Sequence, residues 1–483
     1  MLKRYFLSNF MVMMLLNVLV KPIWIFLIDR NVQLTVGHTE YGLYSALLSL
    51  TLIFSILLDL GITNYNNRHI STDNSLIHLS LPNMIVAKSI FSIFYFIIIF
   101  FVAFLFNYSG KAFYMLFLLG GIQMLNSFLQ FLRSNVSANH DFKIDSVLSV
   151  LDKLVMIIVC GYLLLSSSTR NIFVIEWYLY AQIVAYLIAI FVSLIVIMKR
   201  YSKISFQHFS WLEMKSFCLK SIPYAFLILL MGIYMRSDSL LLERIDGPEV
   251  NSRYAEAYRI LDALNMIGFL LAGILLPMFT RLISKKMDII QLVKISVNII
   301  FSISLCILAH SLIYSQDIMH FLDKNASSDL PTIYIFVISC FPAFCLTYIY
   351  STLLTANGDI YLLIKIALLA CILSIGTNLI LIPLLHAVGT GIAALVVQMV
   401  YSGLCVFFSV KRFQLPFNLG WLLKFAGLFI FLIVLNFFFK HMGISLIPSI
   451  FLNMALFFGI VYGIKLWDIQ TILGYFKQYK SNT

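Results

Sequence analysis

Apolar residues run through this chain in long blocks, and short polar stretches separate the blocks. A helix needs about 20 apolar residues to cross the hydrocarbon core of a bilayer. Fourteen blocks approach or pass that length. Twelve fall near 5–29, 41–62, 81–107, 113–133, 145–167, 174–198, 215–243, 253–281, 290–314, 330–355, 360–383 and 388–411. Two more fall near 419–439 and 445–466. One block departs from the pattern. The stretch RYAEAYRILDAL, residues 253–264, carries charges at Arg253, Glu256, Arg259 and Asp262, three apart and alternating in sign.

Composition agrees with the blocks. The chain is 61% hydrophobic, 11% charged, and has a mean hydropathy of +0.97. Soluble proteins are roughly 45–50% apolar and about 25% charged, so lipid must solvate most of this surface. The net charge of +12 does not point to nucleic acid, because the basic residues sit in short loops between apolar blocks. With the N-terminus inside, eighteen Lys and Arg fall in inner loops and tails and seven in outer loops. That bias places both termini in the cytoplasm. Lys3-Arg4 precedes a long apolar segment with no small-residue cleavage site, which reads as a signal anchor. The seven cysteines lie inside apolar blocks without zinc-type spacing, and they read as packing residues.

The chain also repeats itself. Ser137–Asp141 (SANHD) returns as Thr355–Asp359 (TANGD), an offset of 218. Tyr41–Ser71 aligns with Tyr254–Ser284, an offset of 213. The offset corresponds to six blocks, an even number, so the halves are parallel repeats with a substrate site expected between them. The expected architecture is all-α and polytopic, with two pseudo-symmetric six-helix lobes, 1–200 and 215–412. A basic linker, 201–214, joins them, and 413–483 holds two further helices and a cytoplasmic tail.

Charges inside such helices are costly, about 2.5 kcal/mol or more at mid-bilayer, and they usually face a cavity or a partner. The cations Lys21, Arg30, Lys153, Arg236, Arg259 and Lys365 are the candidate substrate-binding residues. The carboxylates Asp59, Asp238, Glu256 and Asp262 are candidates for ion coupling or for holding those cations. Asp29, Lys88, Asp152 and Glu243 also fall inside the blocks. A plainer reading stands beside this one. Arg253–Glu256, Arg259–Asp262 and Asp152–Lys153 can pair locally, and Lys21, Lys88 and Lys365 can snorkel to an interface. No nucleophile elbow, zinc-protease or Walker motif occurs, so an enzyme is not expected. Arginine and lysine converging in a low-dielectric cleft suit a phosphate or other anion.

Several motifs carry a resemblance. Asn378–Pro383 followed by Gly389-Thr-Gly391-Ile-Ala-Ala394 resembles the hairpin between helices 11 and 12 of bacterial polysaccharide exporters. Tyr41-Gly-Leu-Tyr44, Asp59-Leu-Gly61 and the Thr355-Ala-Asn-Gly358 turn are similar to other signatures of that group. With a 6+6+2 pattern, the chain resembles a Wzx-type lipid-linked oligosaccharide flippase of the multidrug/oligosaccharidyl-lipid/polysaccharide superfamily. One departure is His386, where such hairpins often carry glycine, and it bears on the tightness of that turn. The resemblance implies two lobes around a cationic cavity in the inner membrane. It implies an undecaprenyl-diphosphate-linked sugar repeat moved from the cytoplasmic to the periplasmic leaflet. No cofactor is implied, although proton or sodium coupling is. A polysaccharide polymerase is an implied partner, and the chain is expected to be a monomer. Phe437–Phe439 would suit a groove for the lipid tail. A lipid II flippase and a cation-coupled multidrug antiporter share the fold and stay open as alternatives. A membrane glycosyltransferase or polymerase would need a large outer loop that this chain lacks.

Overall fold

The computed structural model describes residues 16, 19, 20, 22–61, 63, 77–139, 141–201, 211–324, 326–416, 419–464, 466 and 467. Every regular element among them is helical. Helix α1 begins as a π-helical stretch, Trp24–Asp29, and continues as an α-helix, Arg30–Val36. There follow α2 (His38–Ile53), α3 (Ile77–Leu105), α4 (Lys111–Ala138), α5 (Phe142–Leu165) and α6 (Ile175–Arg200). Then come α7 (Trp211–Asp246), α8 (Pro248–Ser284), α9 (Ile290–Ile313) and α10 (Leu330–Asn357). The segment Ile360–Phe413 folds back on itself at His386, giving α11 (360–385) and α12 (387–413). Helices α13 (Leu419–His441) and α14 (Leu446–Gly463) are the last of the described elements.

Among the described residues, eleven helical segments, with α11 and α12 counted as one, are long and apolar enough to cross a membrane. The protein is therefore a multi-pass membrane protein. Of the first two expected spans, only the second is described well enough to compare. The first, 5–29, falls mostly outside the described residues. The second is a helix of only 16 residues that tightens at Ser55–Leu58 into a 3-10 turn.

The α11–α12 turn is tight despite its histidine. His386 adopts φ 53° and ψ −136°, a region that glycine enters freely and side chains do not. Tightness comes from a glycine further on. A Cβ on Gly389 would lie 2.3 Å from the Leu381 carbonyl oxygen, so only glycine lets the two rods approach there.

Packing divides the described chain inside α8, between Ala255 and Glu256. Residues 202–210 of the expected linker, 201–214, lie outside those described. In the first unit α7 lies along α2. A Cβ on Gly232 of α7 would meet the Ile53 backbone at 3.2–3.3 Å.

In the second unit, α13 and α14 pack against α9. They bind α9 through polar groups. His310 Nδ1 lies 2.9 Å from Asn436 Oδ1, and Asn436 Nδ2 donates to Asn453 Oδ1 at 3.3 Å. Lower on α9, Asn298 Oδ1 accepts from Trp421 Nε1 at 2.6 Å, and its carbonyl accepts from Trp467 Nε1 at 3.1 Å. Such bonds count for more than apolar contact here, because lipid is as apolar as the side chains it would replace. Cys160, Cys306, Cys340, Cys345, Cys371 and Cys405 are buried and free.

Candidate functional site

The first unit collects polar groups in its interior, and the π-helical start of α1 begins the collection. A π-turn shifts the register of side chains, and such turns recur at functional sites. Here it ends on Asp29, which is buried. Its carboxylate accepts from Tyr41 Oη at 2.7 Å and from Tyr178 Oη at 2.9 Å. Tyr44 stands edge-on to Tyr178, and Gln182 Nε2 donates to Tyr44 Oη at 3.5 Å. So α1, α2 and α6 surround one carboxylate with phenols.

Lys153 of α5 lies in the same unit. Its ammonium is 3.1 Å from Asp152 Oδ2. It sits 4.4 Å from the centre of the Trp24 ring and 5.3 Å from that of Tyr186. An ammonium held against aromatic faces in a dry setting is attracted to both. Lys153 therefore pairs with its neighbour and also lies against two aromatic rings.

A second polar band joins α7 and the start of α8 to α1 and α2. Tyr254 Oη donates to Asp238 Oδ2 at 3.2 Å. Asn251 Oδ1 accepts from Ser239 Oγ at 2.8 Å, and its Nδ2 donates to the Gly42 carbonyl at 2.8 Å. Gln33 Nε2 donates to Ser252 Oγ at 3.0 Å, and His38 Nδ1 lies 3.2 Å from the same hydroxyl. At the end of α7, Glu243 accepts from Tyr108 Oη at 2.7 Å, while the Arg244 guanidinium stacks 3.5 Å over the Tyr108 ring. Burial, and then the Glu243 carboxylate, push the Tyr108 hydroxyl well above its ordinary range, so it acts as a donor.

The expected site residues distribute unevenly. Lys21 lies outside the described residues. Arg30 and Arg236 are half-buried and Asp238 is buried, all in the first unit. In the second unit Glu256 and Arg259 are buried, at 2% and 5% exposure, and Asp262 is half-buried. Lys365 is exposed on the second turn of α11. Asp59 is paired with Lys88 at 2.6 Å. Lys88 does not snorkel, since it is buried at 3% exposure.

Sequence reasoning noted Asp29 as a charge inside a block but did not connect it with the tyrosines that hold it. The available signal was the pair Tyr41 and Tyr44, which along the chain alone looks like part of the fold.

Comparison with known proteins adds a family and a fold. Residues 6–283 match the family model described as "Polysaccharide biosynthesis protein". No curated protein matches the sequence. Among solved structures, the lipid II flippase MurJ in an inward closed conformation is similar, with a TM-score of 0.68 at 13% identity. That match covers 93% of this chain and 98% of the other. A Vibrio cholerae MATE transporter matches with a TM-score of 0.61 at 14% identity, over 86% of this chain and 97% of its own. An outward-facing multidrug resistance MATE family transporter of the MOP superfamily matches at 0.58 and 15% identity, over 84% and 94%. At these identities the likeness is one of fold.

Proposed function

The chain belongs to the polysaccharide biosynthesis protein family, and on that premise we propose that it is a flippase for an undecaprenyl-diphosphate-linked oligosaccharide. The observation that carries the reading is cationic side chains kept within apolar helices, with Arg259 only 5% exposed and Lys153 caged by Trp24 and Tyr186. A guanidinium or ammonium there costs stability unless it is used. A diphosphate supplies the anion that these groups fit, and aromatic faces suit sugar rings.

The same reading sets the chain in the inner membrane with both termini cytoplasmic, on the loop-charge bias. It takes fourteen spans in a 6+6+2 order, alternating access, and passage from the cytoplasmic to the periplasmic leaflet. Lys21, Arg30, Lys153, Arg236, Arg259 and Lys365 are the cations proposed to engage the diphosphate along its path. Coupling to a proton or sodium gradient falls to the carboxylates Asp238, Glu256 and Asp262. The protein would act as a monomer without a cofactor and hand its product to a polymerase.

The test is complementation of a strain lacking this gene. Arg259→Ala and Arg236→Ala are expected to abolish surface polysaccharide while membrane insertion and protein level stay normal. Normal polysaccharide in both strains would overturn the cationic-site reading.

A second reading, lipid II as cargo, is favoured by the fold likeness to MurJ. Rescue of a strain depleted of its lipid II flippase would support that cargo, and failure there with rescue of polysaccharide export would exclude it. Raised resistance to cationic drugs would instead favour an antiporter.

A further inference from the structure

The break in α2 has a chemistry of its own. The helix ends at Ile53, and the chain tightens through Ser55–Leu58. It then turns through Leu60 at φ 42° and Gly61 at φ 86°. A helix that stops leaves carbonyls without partners, and inside apolar surroundings each must find one. The Leu58 carbonyl finds two donors from other helices. Lys88 Nζ of α3 reaches it at 3.3 Å and Ser127 Oγ of α4 at 3.2 Å.

The ammonium completes the site. Lys88 Nζ also contacts Asp59 Oδ1 at 2.6 Å and Ser127 Oγ at 2.8 Å. An ammonium has three donors, and here three oxygens receive them: a carboxylate, a hydroxyl and a carbonyl. Asp59 in turn accepts from the backbone N–H of Thr63 at 3.3 Å and from its hydroxyl. The Phe131 ring lies 5.8 Å from the ammonium. The charges sum to zero, and the oxygen set is the kind that suits a hard cation.

We infer that the broken end of α2 is a monovalent-cation site whose cation is built into the chain as the Lys88 ammonium. The ligand class that fits the same oxygens without the lysine is sodium or a small alkylammonium ion. With the lysine in place, Asp59 is committed to holding the helix break. It is then not free to bind a dissolved coupling ion. Lys88 is a positioning residue in this account, and the inference stands whatever the cargo of the protein.

Chemical rescue tests it. Purified Lys88→Ala protein is melted in detergent with sodium, methylammonium or choline as the only cation. Relative to choline, sodium or methylammonium is expected to raise its Tm by at least about 3 °C, growing with the logarithm of cation concentration. The unsubstituted protein should not respond. Lys88→Met, which fills the space with an uncharged chain, should not respond either. Asp59→Asn combined with Lys88→Ala should lose the response, since the carboxylate is gone. Equal melting of Lys88→Ala in all three cations would overturn the inference. If Lys88→Ala cannot be recovered folded, Lys88→Asn carries the same comparison. Failure of both in every cation, with recovery of Asp59→Asn/Lys88→Met, would also overturn it, because the cage would then need the lysine itself.

Discussion

The two copies of the internal repeat place α2, from Tyr41, against α8, from Tyr254, and they share more than spacing. Tyr41 donates to Asp29 at 2.7 Å, and its counterpart Tyr254 donates to Asp238 at 3.2 Å. In each copy the first tyrosine of the second helix holds an aspartate near the end of the first. The helices then diverge. The first copy stops after 16 residues, and the second runs for 37. Leu43, Ala46 and Ser49 of the first align with Glu256, Arg259 and Asp262 of the second. Each copy has a Tyr–Asp hydrogen bond, although Asp29 and Asp238 do not align at the repeat's offset, and the residues C-terminal to the tyrosine differ. The tyrosines therefore belong to the charge chemistry, and the extra charges of α8 are a specialisation of one copy.

The sharpest way to break the comparison lies one residue beyond each tyrosine. Gly42 aligns with Ala255. A Cβ on Gly42 would lie 1.6 Å from the Pro248 carbonyl oxygen, and backbone cannot yield as a flexible side chain can. Gly42→Ala is expected to separate α2 from the start of α8, at a cost of about 3 kcal/mol or more, and to abolish complementation. Ala255→Gly should cost only about 1 kcal/mol, the ordinary penalty of glycine in a helix. Thermal melting of both variants in detergent checks the pair, and equal effects would mean that the α2–α8 contact is not close in the folded protein.

Next in size come the phenols on Asp29. A hydrogen bond to a charged group contributes about 1.5–3 kcal/mol in soluble proteins, and bonds between membrane helices average about 0.6. Tyr41→Phe and Tyr178→Phe should each destabilise by about 1 kcal/mol. Together they should cost more than their sum, because the buried carboxylate loses both phenols at once. A double-mutant cycle measures this, and simple additivity would show that Asp29 does not depend on the two hydroxyls.

Much of the fold was legible because its signals are local. Apolar length gave the helices from α3 onward, and the offset of 218 located equivalent turns. The break after Ile53 was not legible, because LIFSILLDLG is as apolar as an unbroken span. The Leu58 carbonyl beyond the break is held by Lys88 and Ser127, 30 and 69 residues away, and such contacts leave no mark along the chain. The candidate site was partly legible for the same reason. Charge in an apolar block flags Lys153 or Arg259, but Trp24, Tyr178 and Tyr186 are ordinary membrane residues until the fold brings them to a charge. The serine, asparagine and glutamine contacts that tie the start of α8 to α1 and α2 leave no pattern along the chain either.

His386 offers a smaller test of the same hairpin motif. Its φ of 53° is strained for a side chain, at about 1 kcal/mol. His386→Gly should recover that amount as a raised Tm. His386→Val, β-branched and less able to adopt this backbone, should lower Tm by a similar amount. No change in either would mean that the turn relaxes without cost.

The smallest expected effect returns to the repeat. Asp141, at the start of α5, pairs with Arg200 at the end of α6 at 3.4 Å. Asp359, at the start of α11, pairs with Arg412 at the end of α12 at 3.6 Å. The two pairs sit at equivalent turns, SANHD and TANGD, and both arginines are well exposed. Exposed pairs contribute little, so Arg200→Ala and Arg412→Ala should each cost about 0.5 kcal/mol or less, and salt should erase the effect. The aspartates should differ where the arginines do not. Tyr201 also donates to Asp141, while Asn357 Nδ2 donates to Asp359 at 2.6 Å. Asp141→Ala strips a phenol, and Asp359→Ala strips an amide within the turn itself. Melting curves in low and high salt separate the two contributions: the arginine variants should converge on the parent protein as salt rises, and the aspartate variants should not. Convergence of all four would reduce the shared motif to surface charge alone.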